Sequence, residues 1–416
     1  MNNSIKSQLQ DREFLALREK PRVILKWATG CGKSKMVIDL INHTAIKKKE
    51  GKLCPIRVLF LVAERAHINN WQDEFEKWNL RFDKVMTDVA CYASLKKYKD
   101  YRYDIVVLDE AHHAFSEKRM AALEELRNNL YPEAHIYLLS ATLSVDKTSN
   151  IEEIFGKFTT STVTLKDAIK SDILPDPKVY VIGLELNNTI PNQEIAIGKG
   201  TNLPLIRWED RGKYIFKNIP CIIKCTEKQR YIYLTDAMEY WKRRYEHSHN
   251  EFQRNKWVNM GSQRKRYLGE LKTDVVKSLI KQFPKNRRFV CFCSSVLQAN
   301  ILNYINTISS RRPAKSNQQI IDRFNSKKIN QIYAVGMITE GMNLTDIQAG
   351  IIVQLDGKER LFIQKFGRSL RAEDPVSFIF YYKGTQDEVY LKNALENIDN
   401  KYVQHITINQ LNNIKL

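Results

Sequence analysis

The 416-residue sequence has no apolar run that approaches the roughly 20 residues needed to cross a membrane. Its first residues, MNNSIKSQLQDREF, also lack the apolar core of a secretory signal. Hydrophobic residues make up 43% and aromatic residues 10%, which excludes a disordered or low-complexity chain. The composition, rich in Lys, Asn and Ile, suggests an AT-rich source such as a bacterium or a phage. We therefore expect a cytoplasmic protein of two to three domains without membrane contact.

The cysteines lack the spacing of a zinc site or a disulfide framework. There are seven, an odd number, and no pair forms a C-x-x-C half-site. Cys221 and Cys225 are four residues apart, while Cys291 and Cys293 alternate within FVCFC, a pattern that predicts a buried strand. We therefore expect reduced thiols in the core of a cytosolic protein.

Charge of one sign predominates. The chain has 66 Lys and Arg against 47 Asp and Glu, a formal net charge of +19. Such an excess favours polyanionic partners, nucleic acid before an anionic membrane surface. A lysine-rich surface that only maintains solubility is the alternative, and charge alone does not decide between them.

Two series of short apolar runs predict an α/β fold with two tandem parallel-sheet domains. The runs lack polar alternation, as expected for strands buried on both faces, and helical patterns such as residues 33–42 and 67–77 separate them. The predicted strands are residues 23–25, 58–62, 105–108 and 136–139, then 179–182, 289–292, 332–335, 351–353 and 378–382. Pro175 and Pro177 mark a linker, which predicts a first domain over residues 1–175 and a second over 178–416.

An insertion over about residues 187–282 interrupts the second series. Its part from residue 241 to 282 carries 11 Lys and Arg against 4 Asp and Glu, in a helical pattern with interleaved aromatic residues. One interpretation is an arm that grips nucleic acid, with Arg264 and Arg266 on phosphates. The other is a solvated helical hairpin whose aromatic residues pack on the second domain.

A glycine-rich turn after the first predicted strand has the composition of a phosphate-binding loop. It opens a predicted helix and reads Ala28-Thr29-Gly30-Cys31-Gly32-Lys33-Ser34. The two glycines let backbone N–H groups face phosphates, Lys33 is suited to reach them, and Ser34 to ligate Mg²⁺. The match is incomplete, because Trp27 stands where the full pattern has glycine.

Two carboxylates follow the strand predicted over residues 105–108. At the tip of a parallel strand beside a phosphate loop, Asp109 is suited to hold Mg²⁺, and Glu110 to take a proton from an attacking water. A kinase or a small GTPase would account for Lys33 and Asp109, but not for the motifs that come after them.

Three further motifs extend this pattern. They are Asp109-Glu110-Ala111-His112, Ser140-Ala141-Thr142 and Gln364-Lys365-Phe366-Gly367-Arg368-Ser369-Leu370-Arg371. In this order after a phosphate loop, they resemble a superfamily 2 helicase of the DEAH-box type over roughly residues 20–390. Residues 59–78 and Gly341-Met342-Asn343-Leu344-Thr345 are similar to motifs of Swi/Snf-like and phage or repair DNA translocases.

The resemblance implies two RecA-like domains that bind ATP and Mg²⁺ between them. The first would supply the phosphate loop, Asp109 and the catalytic Glu110, and the second Gln364 with Arg368 and Arg371 as arginine fingers. It also implies residues that couple the ATP site to a polynucleotide groove, namely His112, Ser140, Thr142, Gly341 and Asn343. Groove contacts would come from Arg65, Ser94, Ser294 and Ser295. Gln8 and Gln10 are candidates for reading the adenine.

These observations predict an ATP-dependent helicase or translocase, on DNA rather than RNA, that moves along or unwinds the polynucleotide. The alternative is an ATP-gated duplex-binding clamp or remodelling translocase that does not separate strands. A third interpretation is a motor subunit of a restriction or repair complex, so replication, repair or recombination proteins are expected partners.

Overall fold

The computed structural model describes residues 3–48, 55–98, 100–336, 344–355, 366–367, 372, 374–396, 398–411 and 414. In this part of the chain no helix is both long enough and apolar enough to span a membrane. The six cysteines that it includes, all except Cys54, are buried and free. The described residues contain no cluster of metal-binding side chains.

The first domain is built on a six-stranded sheet in which every strand pair is parallel. Its strands are β1 (Arg22–Trp27), β2 (Ile56–Val62), β3 (Val85–Cys91), β4 (Ile105–Leu108), β5 (His135–Leu139) and β6 (Thr159–Val163). Their order is β3-β2-β4-β5-β1-β6, so the strand before the phosphate loop and the strand before Asp109 are separated only by β5. The carboxyl ends of these strands, where ligands bind in open parallel sheets, therefore lie close together.

Helices pack on this sheet. They are α1 (Asn3–Leu17), α2 (Lys33–Lys48), α3 (Ala66–Lys77), α4 (Glu117–Asn129), α5 (Val145–Phe155) and α6 (Leu165–Lys170), with 3-10 turns at Tyr92–Lys97 and Ala111–His113. Successive residues of β2 enter different apolar clusters, Val58 and Phe60 one, Leu59 and Leu61 the other. This division places apolar cores on both faces of the sheet, as the unbroken hydrophobic runs predict.

The second domain has a seven-stranded parallel sheet. Its strands are β7 (Lys178–Leu184), β11 (Phe289–Phe292), β12 (Thr307–Ser309), β13 (Gln331–Val335), β14 (Ala349–Ile352), β15 (Val376–Tyr382) and β16 (Val403–Ile406), in the order β12-β13-β11-β14-β15-β7-β16. Its helices are α10 (Thr273–Gln282), α11 (Val296–Asn303), α12 (Ala314–Asn325), α13 (Gln386–Leu395) and α14 (Ile408–Leu411), with a 3-10 turn at Asn400–Tyr402. The predicted α/β class with two parallel-sheet domains is confirmed.

A helical insertion follows β7 and precedes α10 along the chain. It begins with a small sheet of β8 (Gln193–Ile197), β9 (Leu205–Arg207) and β10 (Cys221–Cys225), the 3-10 turn Trp208–Asp210 and α7 (Arg211–Phe216). It continues as two long helices, α8 (Glu227–Ser248) and α9 (Glu251–Leu271), which pack together as a hairpin. A capping box at Thr226 starts α8, and the Asn250 side chain caps α9.

Candidate nucleotide site

A cleft of about 520 Å³ lies at the carboxyl ends of β1 and β4. The phosphate loop, α3, Asp109 and Glu110 line it from the first domain. Leu344, Thr345 and Asp346 line it from the second domain. The cleft therefore lies between the two domains and brings together the predicted phosphate loop and both predicted carboxylates.

The loop geometry requires its glycines. Gly30 and Gly32 have φ of +95° and +94°, a left-handed conformation that side chains disfavour. A Cβ on Gly32 would lie 2.0 Å from Gln10 Nε2, so the packing of α1 also leaves no space for a side chain at this position. Lys33 begins α2, and its ammonium donates to the Trp27 carbonyl at 2.9 Å. The loop thus presents a helix N-terminus and a lysine to the cleft, an arrangement suited to binding phosphates.

Trp27, at the place of the expected glycine, is part of the core. Its indole is buried and donates to Ser161 Oγ on β6 at 2.8 Å. Ser161 in turn donates to Glu13 on α1 at 2.7 Å. The departure from the usual pattern is accommodated because this side chain points away from the cleft, while its carbonyl faces Lys33.

Helix α1 holds the phosphate loop from outside the sheet. Lys6 donates to the Gly30 carbonyl at 2.7 Å and Gln10 to the Cys31 carbonyl at 3.1 Å. Gln8 is exposed, and the buried Gln10 amide nitrogen is bonded to the loop backbone. The structure therefore shows that Gln10 holds the loop, and the reading of adenine by Gln8 or Gln10 stays a prediction.

Cys31 is buried inside the loop. Its burial raises the pKa of the thiol, and the nearby Lys33 and Lys6 ammonium groups act in the opposite direction. Because burial predominates, the thiol stays neutral at physiological pH and acts as a small apolar side chain.

The acidic end of β4 is held in a defined conformation. Asp109 Oδ1 accepts the Glu110 backbone N–H at 3.0 Å, and Asp109 Oδ2 accepts the Trp71 indole N–H at 2.9 Å. Glu110 has a left-handed φ of +45°, which is strained for a residue with a side chain and is common at functional sites. Its carboxylate lies 3.4 Å from Nδ1 of the buried His112.

The residues at the cleft fit a magnesium ion. Asp109 and Ser34 both line the cavity and offer a carboxylate and a hydroxyl oxygen, the ligand type that Mg²⁺ prefers. Mg²⁺ usually keeps several waters and bridges to phosphate oxygens, so two protein ligands beside a phosphate loop are sufficient.

The predicted coupling residues of the first domain lie next to this site. The Ser140 backbone N–H donates to the Leu25 carbonyl at 3.2 Å, and Ser140 Oγ accepts the Thr142 N–H at 3.2 Å. Thr142 Oγ1 is buried and has no hydrogen-bond partner among the described residues. Gly341 and Asn343, predicted to act from the second domain, lie outside the described residues.

Gly367, which directly precedes the predicted arginine finger Arg368, lies close to the phosphate loop. A Cβ on Gly367 would lie 3.1 Å from Thr29 Cβ, so the Gly367 backbone packs against the loop. Gln364, Arg368 and Arg371 themselves lie outside the described residues.

The predicted groove contacts differ in exposure. Arg65 is exposed immediately before α3, and Ser94 is half-buried in the 3-10 turn after β3. Ser295 caps α11 by accepting the Gln298 N–H at 3.1 Å, and Ser294 donates to Gln298 Oε1 at 3.0 Å. The two serines of the second domain therefore already have hydrogen bonds within the protein.

Arg264 requires a correction. Only 5% of it is exposed, and its guanidinium donates to Thr235 Oγ1 at 3.4 Å and Gln386 Oε1 at 3.3 Å. It fixes α9 to α8 and to α13, so it is not available to a polynucleotide. Arg266 is exposed on the same helix, and its contact with phosphates stays a prediction.

Sequence reasoning missed Lys6, Trp71 and Tyr92 as parts of the site. Tyr92 donates its hydroxyl to the Asp109 carbonyl at 3.0 Å. The available signal was the helical spacing of His67, Trp71 and Phe75, which predicts an inward face on the helix after β2. Nothing in that spacing indicates that the face reaches Asp109.

Two family models match the chain. Residues 2–145 match the model described as type III restriction enzyme, res subunit, and residues 271–373 match the helicase conserved C-terminal domain. No curated protein matches the sequence. The first match covers the phosphate loop and the carboxylates, and the second covers the segment of the predicted arginine fingers.

Solved structures share the fold across almost the whole chain. S. cerevisiae Dbp5 bound to RNA and ADP BeF3 is 11% identical, with a TM-score of 0.61 over 97% of this chain and 90% of that one. A fragment of a putative HsdR subunit of a type I restriction enzyme from Vibrio vulnificus YJ016 is 14% identical, with a TM-score of 0.56 over 97% of this chain and 68% of that one. The two family models are in register with the motifs and with the cleft, and together they identify residues 2–145 and 271–373 as superfamily 2 helicase ATPase domains.

Proposed function

We propose that this protein is a nucleic-acid-stimulated ATPase that couples closure of the cleft to movement along, or unwinding of, a polynucleotide. One observation carries the proposal: a single cleft is lined by the phosphate loop and Asp109 from one domain and by residues 344–346 from the other. A nucleotide bound there would contact both domains. Its hydrolysis would therefore change how they are held together.

In the first domain the proposed roles follow from position. Ala28, Thr29, Gly30, Cys31 and Gly32 would surround the phosphates with backbone, Lys33 would bind them, and Ser34 and Asp109 would hold Mg²⁺. The metal would supply charge neutralisation on the phosphates. Glu110, beside Asp109 and near His112, would orient water and accept its proton.

In the second domain we propose Arg368 and Arg371 as arginine fingers and Gln364 as a polar contact to the γ-phosphate. The packing of Gly367 against Thr29 supports this, because Gly367 directly precedes Arg368. Such fingers contribute about 10³ to 10⁵ in rate. Gly341 and Asn343, with Ser140, Thr142 and His112, would transmit closure to the polynucleotide.

The polynucleotide would lie over the ends of α3 and the 3-10 turn after β3, with Arg65 and Ser94 as contacts. Ser294 and Ser295 would help only if they exchange their present bonds to Gln298. Contacts to phosphates rather than bases suit a motor, because they re-form identically at every step.

We also propose that the insertion, about residues 187–282, belongs to the second domain and presents a basic surface. The strands before and after it, β7 and β11, both lie in the second sheet. With this assignment the first domain spans residues 1–175 and the second 178–416. Arg266 would contact phosphates from the hairpin.

DNA is the favoured substrate because residues 59–78 are similar to a motif of DNA translocases. The solved structures give no single answer: Dbp5 is bound to RNA, and HsdR is a subunit of a restriction enzyme. Work within a replication, repair or recombination assembly is compatible with the same site, and the size of the native particle would test it.

The direct test is to measure ATPase rate alone and with single-stranded, duplex or branched DNA and with RNA, with strand displacement assayed in parallel. We expect stimulation by DNA together with displaced strand. Stimulation by duplex without displacement would favour the alternative, an ATP-gated clamp or remodelling translocase. A rate unaffected by every polynucleotide would contradict both.

A further inference from the structure

Two segments predicted to contact nucleic acid both reach the same magnesium ligand. Trp71, six residues after Arg65 on α3, donates its indole N–H to Asp109 Oδ2 at 2.9 Å. Tyr92, two residues before Ser94, donates its hydroxyl to the Asp109 backbone carbonyl at 3.0 Å. The side chain and the backbone of Asp109 are thus each held by a different segment of the proposed groove.

Both donors are rigidly placed. Trp71 is 4% exposed and packs against Phe60 and Phe75, with ring centroids 4.7 and 5.7 Å away. Tyr92 is 2% exposed.

A hydrogen bond from a fixed donor sets the orientation of a metal-binding carboxylate. Removal of such an outer partner typically lowers metal affinity by about 10- to 100-fold. On Asp109, Oδ1 accepts the Glu110 N–H and Oδ2 accepts the Trp71 indole. A small rotation of α3 would therefore change how this carboxylate is presented to the cleft.

We propose that Trp71 and Tyr92 are positioning residues that orient Asp109 to bind Mg²⁺. Through them, binding of a polynucleotide in the groove would change the orientation of Asp109. A phosphate bound at Arg65 would fix the start of α3, and one at Ser94 would fix the turn that carries Tyr92. The link to the groove rests on the proposed function. The effect on Mg²⁺ does not, and it can be measured without nucleic acid.

The test substitutes Trp71→Phe and titrates ADP calorimetrically at a series of MgCl₂ concentrations. We expect the Mg²⁺ concentration for half-maximal tightening of ADP binding to rise about tenfold, while ADP affinity without Mg²⁺ stays unchanged. Polynucleotide stimulation of ATPase should fall in parallel. A merely structural role would weaken both forms of ADP binding equally.

Loss of ring packing is controlled with Phe75→Leu, which thins the same aromatic cluster without touching Asp109. This variant should lose stability but keep the wild-type Mg²⁺ dependence. If it shifts the Mg²⁺ dependence as much as Trp71→Phe does, packing rather than the indole N–H sets the metal site, and the proposal fails.

Tyr92→Phe removes only a hydroxyl and leaves the ring in place. We expect the Mg²⁺ concentration for half-maximal tightening of ADP binding to rise about threefold, which is within the range expected for the loss of one ordinary hydrogen bond. Stimulation of the ATPase by polynucleotide should also be weaker. The matched control is Tyr103→Phe, another buried tyrosine of the same domain, whose hydroxyl donates to Asp88 at 2.9 Å. It should leave both properties unchanged.

The outcomes separate the two claims. Wild-type Mg²⁺ dependence in both Trp71→Phe and Tyr92→Phe overturns the positioning role. A shifted Mg²⁺ dependence with unaltered stimulation overturns the link to the groove. If no polynucleotide stimulates the wild-type protein, the proposed function and that link fail together, while the Mg²⁺ titration still decides whether the two residues position Asp109.

Discussion

Lys33 stands at the first residue of α2, and its ammonium is held by the Trp27 carbonyl at the edge of the cleft. Lys33→Ala should reduce ATP turnover at least about a hundredfold, since one preorganised donor to a developing charge contributes about that much. Turnover and thermal unfolding measured together would check this, with unfolding unchanged.

The control for that variant is Lys47→Ala on the same helix, an exposed residue paired with Glu19. It makes the same charge change and should retain full turnover. Normal turnover in Lys33→Ala would refute the nucleotide site itself.

Arg371 is proposed to act on the transition state and not on bound ATP. Arg371→Ala should therefore lower kcat about 10³-fold while ATP affinity changes far less. Single-turnover rates and equilibrium binding separate the two quantities, and the exposed Arg311→Ala serves as a control. An equal loss in kcat and in binding would count against the finger role.

At the scale of single residues, the sequence predicts those functional groups that lie close together along the chain. Residues 28–34 and Asp109–Glu110 are recognisable because their spacing is set by one turn and one strand end. Trp71 and Asp109 are 38 positions apart, and their contact exists only once α3 packs against the sheet. Arg264 was misread for the same reason: a charged residue in a polar helix gives no indication that its partners are on α8 and α13.

Among the elements, the nine predicted strands correspond to β1, β2, β4, β5, β7, β11, β13, β14 and β15. The strands that the sequence did not predict include β3 and β6, which are the two edge strands of the first sheet. β6 reads Thr-Thr-Ser-Thr-Val and is partly exposed. An edge strand needs no unbroken apolar run, so hydrophobic patterning detects the centre of a parallel sheet better than its borders.

Helix α9 meets the second domain without space for a side chain at Gly269. A Cβ there would lie 2.2 Å from Ser294 Cβ and 2.9 Å from Gln354 Oε1. Gly269→Ala should therefore destabilise the protein by about 1–3 kcal/mol, because helix and loop must separate. Urea unfolding would measure the change in free energy.

Gly261 on the same helix is the matched control. A Cβ there would lie 3.7 Å from Met238 Sδ, an ordinary contact. Gly261→Ala should stabilise the protein by up to about 1 kcal/mol through helix propensity. Equal effects at both positions would show that α9 is not held closely against the Ser294 loop.

For the whole molecule, the net charge of +19 should appear in the salt dependence of polynucleotide binding. The logarithm of the binding constant should fall linearly with the logarithm of the salt concentration, with a slope of about one for each phosphate that the protein neutralises. Arg266→Ala should reduce that slope by about one, while the buried Arg264→Ala should leave it unchanged. Fluorescence anisotropy over a salt series would measure it, and a flat response would exclude a basic track.

The most direct measurement is a crystal structure of the protein with Mg²⁺, ADP, beryllium fluoride and a short oligonucleotide. The account predicts the phosphates between residues 30–34 and 344–346, Mg²⁺ on Ser34 and Asp109, and the guanidiniums of Arg368 and Arg371 directed at the fluoride group. A nucleotide held by the first domain alone, with both arginines facing away from Lys33, would contradict it.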